Sequence, residues 1–289
     1  MKPCPPADPD PRAPNFTMPA GACDTHGHIF GPAAQFPWNP ARGYTPPDAL
    51  PDAYERLHQA LGVSRGVLTQ PSVYGTDNRA MMAYVEANPH RMRAIVSVDA
   101  SVSDQALAQL HAQGARGIRV NLADQGGNAF ASFAELAHMA ERIKPMGWHI
   151  EFLMHVHQMD AHIADIQRLP VETSIGHFGY MPAALGVTHP KFQAFLAMVA
   201  DGRFWVKISG SYRITGLQRT PYADVKPFAQ ALVACRPDRI LWGTDWPHPI
   251  CPVPMPNDGD LLDQLSDWVP GVKTRQAILV DNPSKLYGF

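Results

Sequence analysis

Short apolar runs alternate with helical periodicity along most of the chain. The runs are apolar on both faces rather than strictly alternating, which is typical of parallel strands covered on both sides. We predict eight such strands, at residues 22–28, 65–70, 92–98, 116–122, 148–154, 172–177, 204–209 and 239–244.

Helical patterns fill the intervals between these runs. Several begin with a favourable cap or first-turn proline, as at Ser103-Asp104 and Pro51-Asp52. Eight strand–helix alternations predict an α/β protein made of a single (β/α)8 TIM barrel over residues 21–289. An open doubly wound sheet is the alternative. The predicted helices are residues 51–62, 76–88, 103–113, 131–146, 158–168, 190–201, 223–234 and 259–268.

The N-terminal segment differs in composition from the rest. Residues 1–20 contain seven prolines, which predicts an extended arm rather than a separate globular domain. Phe16 and Met18 are the apolar residues that we expect to attach the end of this arm to the barrel.

Composition excludes several classes of protein. The 289 residues are 45% apolar and 17% charged, with a net charge of −2, so no basic nucleic-acid-binding surface is expected. No apolar stretch approaches the length of a membrane span, and no secretory signal is visible. The four cysteines lack CxxC spacing, which is typical of reduced thiols in a cytoplasmic protein. We expect a cytoplasmic monomer or small homo-oligomer.

Histidine and aspartate side chains follow several of the predicted strands. His26 and His28 are two residues apart at the end of the first strand, so both point to the same side. In a barrel, the carboxyl ends of the strands build one pocket. The polar residues that we expect at this rim are His26, His28, Gln70, Arg119, Asn121, His155, His177, Ser209, Arg213, Asp245 and His248.

Burial predicts the surroundings of several polar residues. Arg119 lies in an apolar run and needs a partner there, which favours binding of an anion. Glu151 is expected deeper in the barrel, where it requires a charge partner. His149 is expected to face the helices, and histidines in helical patterns, such as His58, are expected to be solvated.

Several motifs from end to end of the barrel resemble the amidohydrolase superfamily. Within that superfamily they are most similar to the 2-pyrone-4,6-dicarboxylate lactonase branch. The matching pieces are CDTHGHIFGP at 23–32, FPWNPARGYTP at 36–46, GTDNRAM at 75–81, GARGIRVN at 114–121, GHFG at 176–179, LWGTDWPHP at 241–249 and VDNPSKLYGF at 280–289. No GxGxxG or GxxxxGK[ST] motif follows the first strand, so a nucleotide cofactor is not expected.

The resemblance implies hydrolysis of a small anionic lactone. Asp245 would be the general base that activates water, next to His26, His28 and His177, with His28 and His177 polarising the lactone carbonyl. Tyr44 and Arg119 would hold the substrate carboxylate, and Arg213 a second anionic group. The remaining residues of the expected substrate-binding set are Ser72, His155 and His248.

The resemblance favours a mechanism without metal or other cofactor. If zinc or another divalent ion binds, His26, His28 and Asp245 are the expected ligands, because HxH and a strand-end aspartate offer nitrogen and oxygen donors. A related zinc-dependent decarboxylase would place a further ligand at His155.

Two positions depart from the lactonase pattern. Residues 123–127 lack an arginine that the family carries, and Leu153 replaces a family tyrosine. We therefore expect a lactone with fewer or differently placed carboxylates. The alternatives are a zinc-dependent decarboxylase of an unsaturated carboxylic acid, a sugar-acid lactonase and a non-catalytic barrel that binds a small acid.

Overall fold

A computed structural model describes the backbone of residues 2–123, 129–158 and 160–289, and the side chains of these residues other than 2, 3, 160 and 161. Positions 124–127, most of the segment that lacks the family's arginine, lie outside the described residues.

Eight parallel strands form the central sheet, and each pairs with the next along the chain. Each corresponds to one predicted strand, although the last is shorter than predicted. The strands are β1 (Cys23–Gly27), β2 (Arg65–Thr69), β3 (Met92–Val96), β4 (Ala115–Asn121), β5 (His149–Leu153), β6 (Thr173–Ile175), β7 (Phe204–Lys207) and β8 (Ile240–Leu241).

Backbone hydrogen bonds close this sheet into a barrel. The amide of Thr25 donates to the carbonyl of Trp242 at 3.0 Å, and the amide of Asp245 donates to the carbonyl of His26 at 2.7 Å. The amide of His28 then donates to Trp246 at 2.9 Å. The extended segment after β8 therefore pairs with β1, so the predicted (β/α)8 barrel is confirmed and the open sheet is wrong.

A helix follows each strand, at the positions that the sequence predicts within a few residues. Ser103 and Ser132 cap two of them, because their hydroxyls accept hydrogen bonds from the amides of the first turn. The helices are α1 (Pro51–Leu61), α2 (Arg79–Ala87), α3 (Asp104–Ala112), α4 (Phe133–Ile143), α5 (Asp160–Arg168), α6 (Pro190–Ala200), α7 (Lys226–Cys235) and α8 (Asp258–Trp268). None of the described helices is long and apolar enough to cross a membrane.

The C-terminal residues add a helical segment that the sequence patterns did not predict. It comprises α9 (Val272–Gln276), a π-helical turn at Ala277–Asp281 and α10 (Asn282–Tyr287). The buried Tyr287 ring packs with β1 and β2 and lies 5.4 Å from the ring of His149. His149 therefore contacts Tyr287 of α10, on the face of β5 that also carries Glu151, instead of facing the helices that surround the barrel.

The N-terminal arm lies along the barrel at several points. Residues Lys2–Pro3 pair in parallel with Tyr44–Thr45. Farther along, Arg12 forms ion pairs with two aspartates of α8, and Phe16 and Met18 are partly buried against the core, as predicted. The division of the chain into an arm (1–20) and a barrel (21–289) remains a prediction.

The buried carboxylate of Asp24 joins β1 to the segment after β8. Its Oδ1 accepts hydrogen bonds from the amides of His26 (3.0 Å) and Thr244 (2.9 Å). Its Oδ2 accepts from the hydroxyls of Thr244 (2.7 Å) and Tyr54 (3.1 Å). Burial acts to raise the pKa of Asp24, but His58 and Thr244 outweigh burial and lower the pKa. His58 is thus buried beside Asp24, and the prediction that it is solvated is wrong.

We predict that Asp24→Ala lowers the free energy of unfolding by about 3 kcal/mol or more, because several buried donors lose their acceptor. Urea denaturation measures this change, and Asp281→Ala, at an exposed position, is the control. A midpoint for Asp24→Ala equal to that of the control would contradict the role of Asp24 in barrel closure.

Candidate active site

A cavity of about 250 Å³ opens at the carboxyl ends of the strands. Polar residues that lie at or follow the ends of seven of the eight strands, with Tyr44 from the long loop after β1, form much of its wall, as the barrel geometry predicts. The predicted rim and site residues that line it are His28, Tyr44, Ser72, Arg119, Asn121, His155, His177, Arg213 and Asp245.

One oxygen of Asp245 faces three imidazoles. Its Oδ1 lies 3.8 Å from Nε2 of His26, 3.7 Å from Nε2 of His28 and 3.7 Å from Nε2 of His177. These side chains are buried, and Oδ1 accepts no hydrogen bond from the described part of the chain. The structure therefore brings together the four residues that the sequence predicted to be catalytic, around an oxygen that is free to accept one.

The other oxygen of Asp245 is held by two donors. The Tyr212 hydroxyl and Nε of Arg213 each donate to Oδ2 at 2.5 Å. Burial acts to raise the pKa of Asp245, but the positive charge of Arg213, together with the histidines, holds that pKa well below its ordinary value. Asp245 is therefore an ionised carboxylate at neutral pH.

Unusual backbone conformations cluster in the two loops that carry His177 and Asp245. Every non-glycine residue with positive φ among those described lies after β6 or β8. A left-handed backbone costs a non-glycine residue about 1–3 kcal/mol, so the surrounding contacts must hold these loops in shape. The six residues are His177, Phe178, Tyr180, Asp245, His248 and Ile250.

Hydrogen bonds assign the proton of His28. Its Nδ1 lies 2.7 Å from the carbonyl oxygen of Thr69, which can only accept, so Nδ1 carries the proton. Burial lowers the pKa of His28 and favours the neutral ring. Neutral His28 thus presents the lone pair of Nε2 to the cavity, where it accepts a hydrogen bond rather than donating one.

His177 is supported from the next strand end. Its Nδ1 lies 3.0 Å from the hydroxyl oxygen of Ser209, and burial lowers the pKa of the imidazole well below its ordinary value. When the Ser209 hydroxyl donates to Nδ1, the proton of neutral His177 resides on Nε2, which faces the cavity.

A buried ion pair supports His26 from below. Lys207 donates to the carboxylate of Glu151 and, at 2.6 Å, to the carbonyl of Thr25, and its Nζ lies 3.3 Å from Nδ1 of His26. Burial, followed by the charge of Lys207, lowers the pKa of His26 to about 3. The charge partner that the sequence required for Glu151 is therefore Lys207.

Arg119 provides positive charge on one wall of the cavity. Its Nε and Nη1 have no hydrogen-bond partner among the described side chains and backbone, and Nη1 is 4.0 Å from Glu151 Oε1. Tyr44 and Ser72 line the same cavity, and Leu153 and Ile250 add apolar surface. A guanidinium with open donors matches a carboxylate group.

Arg213 is engaged within the protein. Besides its contact with Asp245, its Nη2 donates to the carbonyl of Pro249 at 3.0 Å. Two of its donors are thus committed to the loop after β8. This geometry favours orientation of Asp245 over the predicted binding of a second anionic group.

His155 and His248 occupy different surroundings. The ring of His155 lies on the cavity wall, 5.0 Å from the ring of Tyr180. His248 is fully buried, does not line the cavity and contacts Tyr212 and Asp258 instead. The structure therefore does not bring His248 to the position of a substrate contact, because the loop after β8 turns its side chain away from the cavity.

Three residues at the centre of the site could hold a divalent cation. Donor atoms of His26, His177 and Asp245 lie within 4.8 Å of one another, and His26 Nε2 and Asp245 Oδ1 lack hydrogen-bond partners among the residues described. These donors fit zinc or a similar ion. The predicted ligand set differs, because it contained His28 in place of His177, and His155 lies outside this cluster.

Comparison with known proteins places the chain in a family. The sequence profile of the Amidohydrolase family matches residues 23–289. The chain belongs to this family. This membership confirms the resemblance on which the sequence analysis relied.

Three relatives match over most of their length. A 2-pyrone-4,6-dicarboxylate hydrolase of Comamonas testosteroni is 37% identical over 96% of this chain and 93% of its own. A 4-sulfomuconolactone hydrolase of Hydrogenophaga intermedia is 36% identical over 94% and 90%, respectively. A D-galactarolactone isomerase of Agrobacterium fabrum is 31% identical over 95% and 94%.

Two solved structures share the fold. An apo structure from Agrobacterium tumefaciens superposes with a TM-score of 0.86 at 30% identity, covering 96% of this chain and 98% of its own. A probable 2-pyrone-4,6-dicarboxylic acid hydrolase of Acinetobacter baumannii, solved with citric acid bound, gives a TM-score of 0.80 at 25% identity, covering 93% and 100%.

Sequence reasoning missed Tyr212, which donates to the central carboxylate. Its position immediately before Arg213, in the loop after the predicted seventh strand, is the sequence feature that indicates a place near the site. Lys207 was missed as well, although the need of Glu151 for a partner pointed to a buried cation.

Proposed function

We propose that this chain hydrolyses the ester bond of a small carboxylated lactone. The observation that carries the proposal is the unpartnered Oδ1 of an ionised Asp245, surrounded by three buried imidazoles. The names of two relatives, a sulfomuconolactone hydrolase and a pyrone dicarboxylate hydrolase, support a lactone substrate.

Binding begins at Arg119. Its guanidinium donates hydrogen bonds to the substrate carboxylate, with Tyr44 and Ser72 beside it on the cavity wall. This contact fixes one end of the lactone and presents its carbonyl to the histidines, so that the reacting groups meet in one orientation. The Acinetobacter baumannii relative was solved with citric acid bound, and this polycarboxylate supports a carboxylated ligand for the present chain.

Water is then activated at Asp245. A water at Oδ1 also donates to the lone pair of His28 Nε2, and Oδ1 takes its proton as the water oxygen attacks the carbonyl carbon. Nε2–H of His177 donates to the oxygen that gains negative charge. The bond between the carbonyl carbon and the ring oxygen breaks, and the ring oxygen receives the proton that Asp245 holds.

This assignment divides the histidines by hydrogen-bonding role. The contact with Thr69 makes neutral His28 an acceptor, so His28 orients water, whereas His177 polarises the carbonyl. Nδ1 of His26 lies 3.3 Å from Lys207 Nζ and 3.4 Å from Glu151 Oε1, and this buried ion pair holds the ring with Nε2 toward Asp245.

A divalent ion held by His26, His177 and Asp245 would supply Lewis-acid polarisation and a more acidic water. The guanidinium of Arg213 already neutralises Asp245, which favours a reaction carried by the side chains alone. The metal-dependent alternative is decarboxylation of an unsaturated acid. The observation that supports metal binding is the cluster of His26, His177 and Asp245.

Asp245→Asn is expected to lower kcat by about 10²–10⁴-fold, because the amide cannot accept the proton from water. The assay follows acid release from a panel of aromatic-degradation lactones and sugar-acid lactones. Asp281→Asn, at an exposed position, serves as the control and should retain wild-type turnover. Near-normal turnover by Asp245→Asn would refute the assignment of the base, and tight binding without turnover by the wild type would favour a binding protein.

Arg119→Met is expected to raise KM about ten- to a hundredfold, since a charge-assisted hydrogen bond to the substrate carboxylate is lost. Arg116→Met, on the same strand but outside the cavity, is the matched control. An unchanged KM for Arg119→Met would exclude this arginine as the carboxylate anchor.

We expect lactone turnover to persist after metal removal. Protein purified without added metal is assayed before and after dialysis against a chelator, with metal content measured in both samples. Equal kcat in the two samples is the expected result. Loss of turnover that zinc restores, or decarboxylation that requires zinc, would instead support the metal-dependent alternative.

A further inference from the structure

Behind Asp245, on the side away from the cavity, buried polar side chains form a linear network that we call the Tyr212–His248–Asp258 network. The Tyr212 hydroxyl donates to Asp245 Oδ2 at 2.5 Å and lies 3.1 Å from Nδ1 of His248. Nε2 of His248 lies 3.2 Å from Oδ1 of Asp258, at ion-pair distance but without hydrogen-bond geometry. Asp245 and the three residues of the network are at most 1% exposed, so the network is not accessible to solvent.

The number of protons available assigns the donor and the acceptor in the contacts of Tyr212. The single proton of the Tyr212 hydroxyl is used on Asp245, so the tyrosine oxygen accepts from Nδ1–H of His248. The other ring nitrogen lies against the Asp258 carboxylate, a contact that is attractive only when this nitrogen carries a proton as well, as in an imidazolium. Asp258 is the first residue of α8, where the helix N-terminus favours a negative charge.

The local backbone is shaped to form this arrangement. Asp245 and His248 both have left-handed φ angles, of 64° and 60°, and the His248 amide donates to the Asp245 carbonyl at 2.7 Å. The loop thereby turns back on itself and places the His248 ring against the Tyr212 ring, at 5.3 Å between centroids. The left-handed backbone and the burial of Tyr212, His248 and Asp258 both cost free energy, which the contacts within the folded protein must offset.

We propose that Tyr212, His248 and Asp258 are positioning residues that fix the rotation of the Asp245 carboxylate. Tyr212 and Arg213 together hold Oδ2 and leave Oδ1 toward the imidazoles, whereas Arg213 alone leaves one hydrogen bond about which the carboxylate turns. His248 and Asp258 hold Tyr212 in place. This inference rests on the proposed function for its kinetic consequences.

The kinetic test uses variants that keep side-chain shape. Tyr212→Phe is expected to lower kcat about 10–100-fold and Asp258→Asn about tenfold, with KM within about twofold of wild type, because the substrate contacts remain. The matched controls are Tyr84→Phe, whose hydroxyl contacts Glu55 away from the cavity, and Asp260→Asn, in the same turn of α8. Both controls should show wild-type kcat.

A double variant separates positioning from general loosening of the fold. If Asp258 acts on Asp245 only through Tyr212, the double variant Tyr212→Phe with Asp258→Asn has the same kcat as Tyr212→Phe alone, within about twofold. Effects that multiply, or a rise in KM with unchanged kcat, would overturn the proposal.

Crystal structures provide a readout that needs no substrate. In Tyr212→Phe we expect the Asp245 carboxylate to rotate or to occupy more than one orientation, with the barrel backbone unchanged. A carboxylate that stays in place would contradict positioning. Wild-type protein that turns over no lactone would overturn the proposed function, and the crystal structures would still decide this inference.

Discussion

The pairing of β1 with the segment after β8 is the constraint on which the site depends. It joins residues more than 200 positions apart and sets His26 and His28 beside Asp245 through direct backbone hydrogen bonds. The Asp24 carboxylate lies within this junction and binds Thr244, the neighbour of Asp245. Barrel closure and assembly of the reacting groups are therefore one structural event, and a defect in the first removes the second.

Charge balance explains how so many ionisable groups tolerate burial at this junction. Asp245 is matched by Arg213, and Glu151 by Lys207, so each of these two buried carboxylates has its own cation. The histidines between these pairs are held neutral by desolvation. Nε and Nη1 of Arg119 lack hydrogen-bond partners among the described residues, which makes this arginine the natural position for an external anion.

The sequence predicted the fold and the central cluster well, because both follow from local rules. Eight apolar runs imply a barrel, and strand-end position implies convergence of His26, His177 and Asp245. It could not predict which donors are already used inside the protein. Arg213 differs from Arg119 through the path of the strained loop after β8, and that path depends on tertiary contacts rather than on residue type.

The central claim is that Asp245 Oδ1 and Arg119 hold opposite ends of one reacting molecule. A crystal structure of the protein with the hydrolysed product of its lactone tests this claim most directly. The account predicts that the original carboxylate of the product binds Arg119 and that the newly formed carboxyl group lies within about 3 Å of Asp245 Oδ1. A product whose new carboxyl group lies away from Asp245, or whose original carboxylate avoids Arg119, would contradict it.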